Sequence, residues 1–338
     1  MRASSKKLII VLICLACLIL TGCAGKEYRA TVFAMDTVMQ ITVYAKDDSS
    51  LALCRAKIND VEKLLSTTYE DSITSRLNRG ETVTAQEEFI DLLSDCRKYS
   101  GLTGGAFDIT SYPVVRLWGF TTGEHRVPDQ QEIDEAVGRI GMDNIAENVS
   151  GEVSLMNGAE IDFGAVTKGY LGDRIRDILT EQGVSSALID LGGNITVIGK
   201  NRGKDWVIGI EIPSRDESGL AGTVAVSDTS VVTSGSYRRY FEEGGRVYGH
   251  IMDPKTGYPA ENGLISVTIV SPDTEMADAL STGLYVAGLE EAVSIWKETP
   301  GFEAVFITDD GTVYVTEGLA SCFTINKDYS PKLVIIEK

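Results

Sequence analysis

The chain has 338 residues, of which 43% are hydrophobic and 24% are charged, so it can build a globular core and is not of the disordered class. Acidic residues outnumber Lys and Arg by 49 to 31, and the resulting net charge of −18 argues against a nucleic-acid partner, which needs a basic surface. An anionic small ligand is not excluded, because a metal ion or backbone amides can neutralise it locally.

The first 22 residues have the features of a bacterial signal peptide. Three basic residues precede an apolar run at 8–20, which is too short to span a bilayer comfortably and is typical of a signal sequence. The run leads into Leu-Thr-Gly-Cys23, which resembles a lipobox. We therefore expect cleavage before Cys23, acylation of its thiol, and attachment to the extracytoplasmic face of the cell membrane by the lipid. An uncleaved anchor and a plain signal peptide are the alternatives.

After this leader, the pattern of apolar residues predicts helices and strands in short runs. In chain order, the predicted elements are a strand at 38–45, helices beginning near 50, 84 and 129, a helix at 166–183, strands at 187–191, 195–199, 206–212, 222–226 and 264–270, helices at 275–287 and 290–297, and strands at 302–308 and 313–316. Thr84 with Glu87, and Asp129 with Glu132, have the spacing of a capping box, which predicts the start of a helix.

Strands that follow one another directly indicate hairpins, and the turn residues at 309–311 predict one between the last two strands. This order favours an α+β fold, with mainly antiparallel sheets and packed helices, over a doubly wound α/β sheet. No Gly-x-Gly-x-x-Gly fingerprint of a Rossmann fold occurs in the sequence. We expect one domain over residues 23–338, with a subdomain boundary near 141–160.

The sequence contains two histidines, and each can be considered individually. His125 lies in a polar loop and is expected to be solvated. His250 lies between Gly249 and Ile251 near a predicted strand end, where a structural role is the more common one. It is nevertheless the default general base if the protein is an enzyme.

Asp278 and Thr282 are four residues apart in a predicted helix, so their side chains share one face of it. That face lies opposite the apolar stripe that contains Met276 and Leu280. A carboxylate and a hydroxyl at this spacing suit a hard cation that also binds phosphate oxygens. The alternative is an ordinary solvent-exposed face, on which Asp and Thr are both common.

The segment 162–169 offers a second, weaker signal. Glycine before a helix exposes backbone amides that can bind phosphate, and Lys168 would add a positive charge. Because Lys168 precedes Gly169, the segment is not a P-loop, and a structural turn is an equal alternative. Ser234 lacks the Gly-x-Ser-x-Gly setting, which disfavours a serine hydrolase.

Together, these short motifs resemble the ApbE-like FAD:protein FMN transferases in their order and number. The motifs are MDT at 35–37, GAFDIT at 105–110, LWGF at 117–120, DFGAVTKG at 162–169 followed by Asp173, LGGN at 191–194, SGSY at 234–237, HIMDPKTG at 250–257, and Asp278 with Thr282. Each motif is weak alone, but the ordered set is specific and covers nearly the whole chain after the leader.

The resemblance implies two subdomains around a cleft that binds FAD without a Rossmann fold. It implies a Mg²⁺-dependent transfer of FMN from FAD to a Thr or Ser hydroxyl of a partner protein, with release of AMP. The implied acceptor is an exported or membrane redox protein, such as a subunit of the Rnf or Nqr type or a protein with an FMN-binding domain. An Asp-x-x-Ser/Thr-Gly-Ala-Ser/Thr acceptor sequence is absent from the chain, so self-modification is not expected.

The resemblance also implies roles for individual residues. The side chains of Asp278 and Thr282 and the carbonyl of Ala165 correspond to the metal ligands, and His250 and Asp278 to the catalytic residues. The residues that correspond to the FAD site are Met35, Tyr69, Ala106, Phe107, Asp108, Asp162, Lys168, His250 and Ile251. After Tyr69 the sequence departs from the family pattern, because Glu70 interrupts the usual neighbourhood.

Two other functions agree with the same residues. A FAD pyrophosphatase would use water in place of the acceptor hydroxyl and would release FMN and AMP. A lipoprotein that binds flavin for uptake would bind FAD without cleaving it, but it would have little use for Asp278, Thr282 and His250.

Overall fold

In a computed structural model of the chain, residues 25–214, 218–329 and 332–338 are described. The expected signal peptide and Cys23 lie outside the described residues, so the lipid anchor stays a prediction. Within the three described ranges, no helix is both long enough and apolar enough to cross a bilayer.

The secondary structure consists of short strands and helices. The described strands are β1 (Lys26–Ala34), β2 (Thr37–Ala45), β3 (Val83–Thr84), β4 (Ile145–Glu147), β5 (Glu152–Leu155), β6 (Ser186–Leu191), β7 (Asn194–Gly199), β8 (Trp206–Glu211), β9 (Leu220–Val226), β10 (Thr229–Ser234), β11 (Tyr240–Glu243), β12 (Arg246–Gly249), β13 (Leu264–Ser271), β14 (Glu303–Thr308), β15 (Val313–Thr316), β16 (Phe323–Ile325) and β17 (Leu333–Ile336). The helices are α1 (Ser49–Leu65), α2 (Ile73–Asn78), α3 (Glu87–Leu102), α4 (Tyr112–Leu117), α5 (Gln130–Val137), α6 (Thr167–Glu181), α7 (Thr274–Ala287) and α8 (Leu289–Glu298).

Nine strands form one large sheet in the order β1-β2-β6-β7-β10-β13-β14-β15-β17. Among the described strand pairs, β15 with β17 is parallel and the others are antiparallel. The predicted α+β class with mainly antiparallel sheets and packed helices is therefore confirmed. Three small sheets complete the structure, in the orders β11-β12, β16-β9-β8 and β3-β5-β4.

Around β14 both faces of the large sheet are packed, as the alternation of side chains along this strand illustrates. Ala304 and Phe306 belong to the apolar cluster formed with α7 and α8. Val305 and Ile307 point the other way, into a cluster with β8 and β9 of the small sheet. At the other end of the large sheet, β1, β2 and β6 pack against α1, α3 and α6.

The two predicted capping boxes have different outcomes. Asp129 accepts a hydrogen bond from the backbone N–H of Glu132, whose carboxylate accepts one from the N–H of Asp129, so the box at the start of α5 is confirmed. The prediction at Thr84 is wrong. Thr84 pairs with Glu152 in a small sheet and has an extended backbone, and α3 begins three residues later without a side-chain cap.

Candidate active site

A cleft of about 500 Å³ lies at one end of the large sheet, within the size range of sites for small molecules. One side of the cleft is formed by the β1–β2 turn, the β6–β7 turn and the end of β10. The first turn of α6 and one face of α7 also line it. The walls are formed by residues 35–36, 61–62, 65–68, 106–108, 111–112, 115, 120–121, 162, 164–165, 167–168, 192, 194, 233–235, 238–239, 250–252, 254, 278 and 282.

The predicted site residues meet at this cleft, with one exception. Those in its walls are Met35, Ala106, Phe107, Asp108, Asp162, Ala165, Lys168, His250, Ile251, Asp278 and Thr282. Tyr69 follows the cleft residue Thr68 but is not part of the wall, and its side chain is 46% exposed. Its backbone N–H donates to Ser66 Oγ at 2.9 Å in the turn after α1. The role of Tyr69 in flavin binding stays a prediction.

The position of Asp278 depends on close contact between α6 and α7. Gly169 in α6 has no side chain, and a Cβ there would lie 2.5 Å from both Asp278 Cβ and the Thr274 carbonyl oxygen. Because the two helices are this close, the backbone N–H of Gly169 donates a hydrogen bond to Asp278 Oδ2 at 2.7 Å. Asp278 is 4% exposed, so the alternative of a solvent-exposed face is wrong.

Thr282 lies one turn further along the same face of α7. Its Oγ1 is 3.1 Å from Ser234 Oγ at the end of β10, and Ser234 Oγ is also 2.7 Å from Ser281 Oγ. Burial raises the pKa of Asp278, while Lys168, the nearby amide of Asn194 and the hydrogen bond from Gly169 oppose this rise. Burial thus favours the neutral form of this carboxyl group, and the positive and polar groups that face it favour the charged form.

Positive side chains face the cleft in an otherwise acidic protein. Among the described residues, no Asp or Glu lies within ion-pair distance of Lys168 or Arg239. Both nevertheless lower the pKa of Asp162, which burial raises. Unpaired cations on a cleft wall are the usual partners of phosphate groups.

The geometry of His250 leaves one ring nitrogen free to accept a proton. Nδ1 lies 3.1 Å from the backbone carbonyl of Arg239. A carbonyl only accepts hydrogen bonds, so Nδ1 carries the hydrogen and Nε2 has a free lone pair. Burial and the positive charges of Arg239 and Lys168 lower the pKa of His250 to about 4, so the ring is neutral at pH 7. The expectation for His125 also holds, since it is exposed on a loop.

The β1–β2 turn brings Met35 to the cleft in a conformation that is rare for residues other than glycine. Met35 and Asp36 have φ values of 51° and 57°, and together they form a two-residue hairpin turn. The backbone N–H of Met35 donates to Glu62 Oε1 at 2.8 Å, which ties the turn to α1. Glu62 thus holds an apolar side chain at the edge of the cleft.

Two further residues, to which the sequence motifs assign no role, line the cleft: Asn194 and Arg239. Asn194 starts β7, is 4% exposed, and favours the charged form of Asp278. Its buried Nδ2 has no hydrogen bond of normal geometry to the described residues, so it can donate to a phosphate oxygen. Arg239 comes from the loop after β10. Both are brought to the cleft by strand order, which local sequence patterns do not reveal.

The donor set fits a hard cation of the Mg²⁺ type. In the described part of the chain, no group of three or more His, Cys, Asp or Glu side chains could hold a metal ion. Mg²⁺ does not require such a group, because it is commonly bound by one or two carboxylates together with substrate phosphates and water. Asp278, Thr282 and Ala165 line the same cleft and would supply a carboxylate, a hydroxyl and a backbone carbonyl.

A cleft with oxygen donors, unpaired cations and a neutral histidine is the kind of site that holds a phosphate-containing ligand for a transfer reaction. The chain belongs to the ApbE family, whose model matches residues 35–306. The resemblance predicted from the ordered motifs is therefore confirmed.

Relatives and solved structures agree with this membership. The chain is 31% identical to a FAD:protein FMN transferase of Klebsiella pneumoniae over 86% of this chain and 92% of the relative. It is 32% identical to one of Treponema pallidum over 91% and 93%. The crystal structure of the ApbE protein of Thermotoga maritima superposes with a TM-score of 0.81 at 32% identity, covering 87% of this chain and 98% of that one.

Proposed function

We propose that this chain is a FAD:protein FMN transferase that uses Mg²⁺, attaches FMN to a Ser or Thr hydroxyl of a partner protein, and releases AMP. The observation that carries the proposal is one cleft with the buried carboxylate of Asp278, the hydroxyl of Thr282, the unpaired Lys168 and a neutral His250. Its membership of the family, and relatives that are named for this activity, support it.

The side chains of Asp278 and Thr282 and the carbonyl of Ala165 would hold the cation. When bound, Mg²⁺ would offset the two negative charges of the FAD pyrophosphate and the charge that develops on the leaving AMP. Lys168 and Arg239 contribute fixed positive charge to the same phosphates. Met35 and Ile251 offer apolar surface for the isoalloxazine ring.

The transfer is a displacement at phosphorus without any redox change. The acceptor hydroxyl oxygen forms a bond to the FMN-side phosphorus, and the bond from that phosphorus to the bridging oxygen breaks. The electron pair of the broken bond leaves with AMP. The hydroxyl proton needs an acceptor, and the free Nε2 of His250, whose ring is neutral at pH 7, is our candidate for this general base.

The position in the cell is part of the same proposal. A lipid on Cys23 would hold the enzyme at the extracytoplasmic face of the cell membrane, beside exported and membrane redox proteins. These proteins are the acceptors that we expect, including subunits of the Rnf or Nqr type and FMN-binding domain proteins.

The test is mass spectrometry of an acceptor. A purified FMN-binding domain protein with the acceptor sequence is incubated with this chain, FAD and Mg²⁺, and we expect a mass increase equal to FMN minus water. Asp278→Asn should lower the adduct yield at least about a hundredfold, because it removes the only carboxylate of the proposed ligand set. The matched control is Asp91→Asn, on the exposed surface of α3, which should leave the yield unchanged.

Each other result has a definite meaning. An unchanged yield with Asp278→Asn contradicts the metal assignment. Free FMN and AMP, without any adduct on the acceptor, identify a pyrophosphatase. FAD that stays bound and intact during long incubation with Mg²⁺ identifies a flavin-binding protein.

A further inference from the structure

The tip of the β1–β2 hairpin carries an exposed apolar pair. Phe33 is 74% exposed and Val38 is 52% exposed, and they are direct cross-strand partners. The opposite face of the hairpin, which includes Ala34 and Met39, is the one that packs into the core. Most of the Phe33 side chain and about half of the Val38 side chain therefore face solvent, which makes the pair a candidate contact surface for a partner.

This pair stands at the mouth of the cleft. Only the Ala34–Thr37 pair separates it from the turn residues Met35 and Asp36, which line the cleft. On the neighbouring strand pair, the backbone of Gly192 packs against the side chain of Thr37. The pair is therefore continuous with the cleft wall rather than with a distant surface.

The hairpin tip is held in place. The N–H of Met35 donates a hydrogen bond to Glu62 Oε1 of α1. Ala34, whose side chain is only 3% exposed, belongs to the core cluster that also contains residues of α1. Rigid aromatic side chains make efficient contacts with a partner, because little conformational entropy is lost when they are covered. The pair is thus preorganised for contact with another protein.

The charge of this face sets it apart from the rest of the molecule. The residues on the exposed face of the hairpin are Glu27, Arg29, Thr31 and Phe33 of β1 and Val38, Gln40, Thr42 and Tyr44 of β2. Glu27, the acidic residue of this face, lies at the end of the hairpin far from the turn and pairs with Arg29 at 2.7 Å, so these eight residues carry no net charge, although the chain has a net charge of −18. Because Asp36 at the turn is exposed and acidic, the partner surface that suits this face is an apolar contact residue with uncharged neighbours.

We propose that the Phe33–Val38 pair is the docking surface for the acceptor protein and contacts an apolar side chain beside the Ser or Thr that receives FMN. The inference rests on the proposed function. A hydroxyl that reaches the cleft must belong to a chain at its mouth, so the residues around that hydroxyl have to cover the rim. The Phe33–Val38 pair is the exposed apolar surface of the β1–β2 hairpin next to Met35, which lines the cleft.

The experiment measures acceptor kinetics at saturating FAD and Mg²⁺, with the FMN-binding domain protein as acceptor. Phe33→Ser should lower kcat/KM for the acceptor about tenfold, the usual effect of truncating a central interface aromatic. The FAD dissociation constant, measured by flavin fluorescence, should not change. Val38→Thr keeps a β-branched residue in the strand and should lower kcat/KM in the same direction, by less.

A matched control is Val207→Ser, since Val207 is 66% exposed on β8 and does not line the cleft. It should leave kcat/KM for the acceptor unchanged. If both hairpin variants match the parent while the parent forms the adduct, the docking inference is wrong and the proposed function stands. If the unsubstituted protein forms no adduct, the proposed function is wrong, and the docking inference, which rests on it, is wrong as well. A dimer in sedimentation that Phe33→Ser converts to a monomer would assign the pair to a second copy and overturn the proposal.

Discussion

Replacing Gly169 by Ala tests whether the close contact of α6 and α7 positions Asp278. The new Cβ would lie 2.5 Å from Asp278 Cβ and from the Thr274 carbonyl oxygen, and 2.9 Å from Glu275 Cα. Two of these three atoms are backbone, so the helices themselves must separate. Overpacking costs about 1–3 kcal/mol and loss of the N–H bond to the Asp278 carboxylate about 1.5–3, while the helix propensity of Ala returns about 1 kcal/mol. We expect a net loss of about 2–5 kcal/mol in the free energy of unfolding.

Stability is measured by urea unfolding. FAD binding and adduct formation are measured separately under native conditions. The control is Gly101→Ala in α3, where an added Cβ meets no atom within 4 Å and should be neutral or stabilise by up to about 1 kcal/mol. Gly169→Ala should also lower adduct formation, because Asp278 would lose its orienting hydrogen bond. If the Gly169 variant is as stable and as active as the Gly101 variant, the reasoning about the helix contact is refuted.

Two further predictions concern pH. Because the pKa of His250 is lowered to about 4, kcat/KM for FAD should hold between pH 7.5 and 6, whereas a histidine of ordinary pKa would lose about three-quarters of its neutral form by pH 6. A half-loss centred near pH 6.5 would contradict this. Burial and the charges of Asp95, Asp273 and Asp173 raise the pKa of Glu275 to about 8 from 4.5, so the folded state keeps a proton that the unfolded state loses, and stability falls as pH rises between these values. At pH 7 the Glu275→Gln variant should therefore have a free energy of unfolding about 3 kcal/mol higher than that of the unsubstituted protein, measured by urea unfolding. Near pH 4.5 the two free energies should be about equal. The same difference at both pH values would show that the gain in stability is not electrostatic.

Local sequence patterns predict the position of a side chain correctly where that position depends on one helix or strand alone. Helical geometry alone places Asp278 and Thr282 on one face of α7, and the structure agrees. The two capping-box patterns have the same spacing, yet Thr84 lies in a strand because its partner Glu152 comes from a distant part of the chain. Short-range patterns cannot distinguish these cases, since pairing within a sheet overrides the local preference.

Long-range contacts explain what the patterns missed at the site. The face of α7 that bears Asp278 is buried because Gly169, 109 positions earlier in the chain, lets α6 approach it. Asn194 and Arg239 reach the cleft because β7 and β10 are neighbours in the large sheet, although they follow each other only after an excursion through another sheet. The boundary near 141–160 and the lipid anchor stay predictions.

The continuity of the large sheet has a consequence for how a ligand enters. The β1–β2 turn, the β6–β7 turn and the end of β10 all belong to strands that are hydrogen-bonded to one another in sequence across the sheet. Opening these walls like the lobes of a hinged receptor would break rows of backbone hydrogen bonds. This side of the cleft is thus preformed, and a ligand meets it without any separation of these strands.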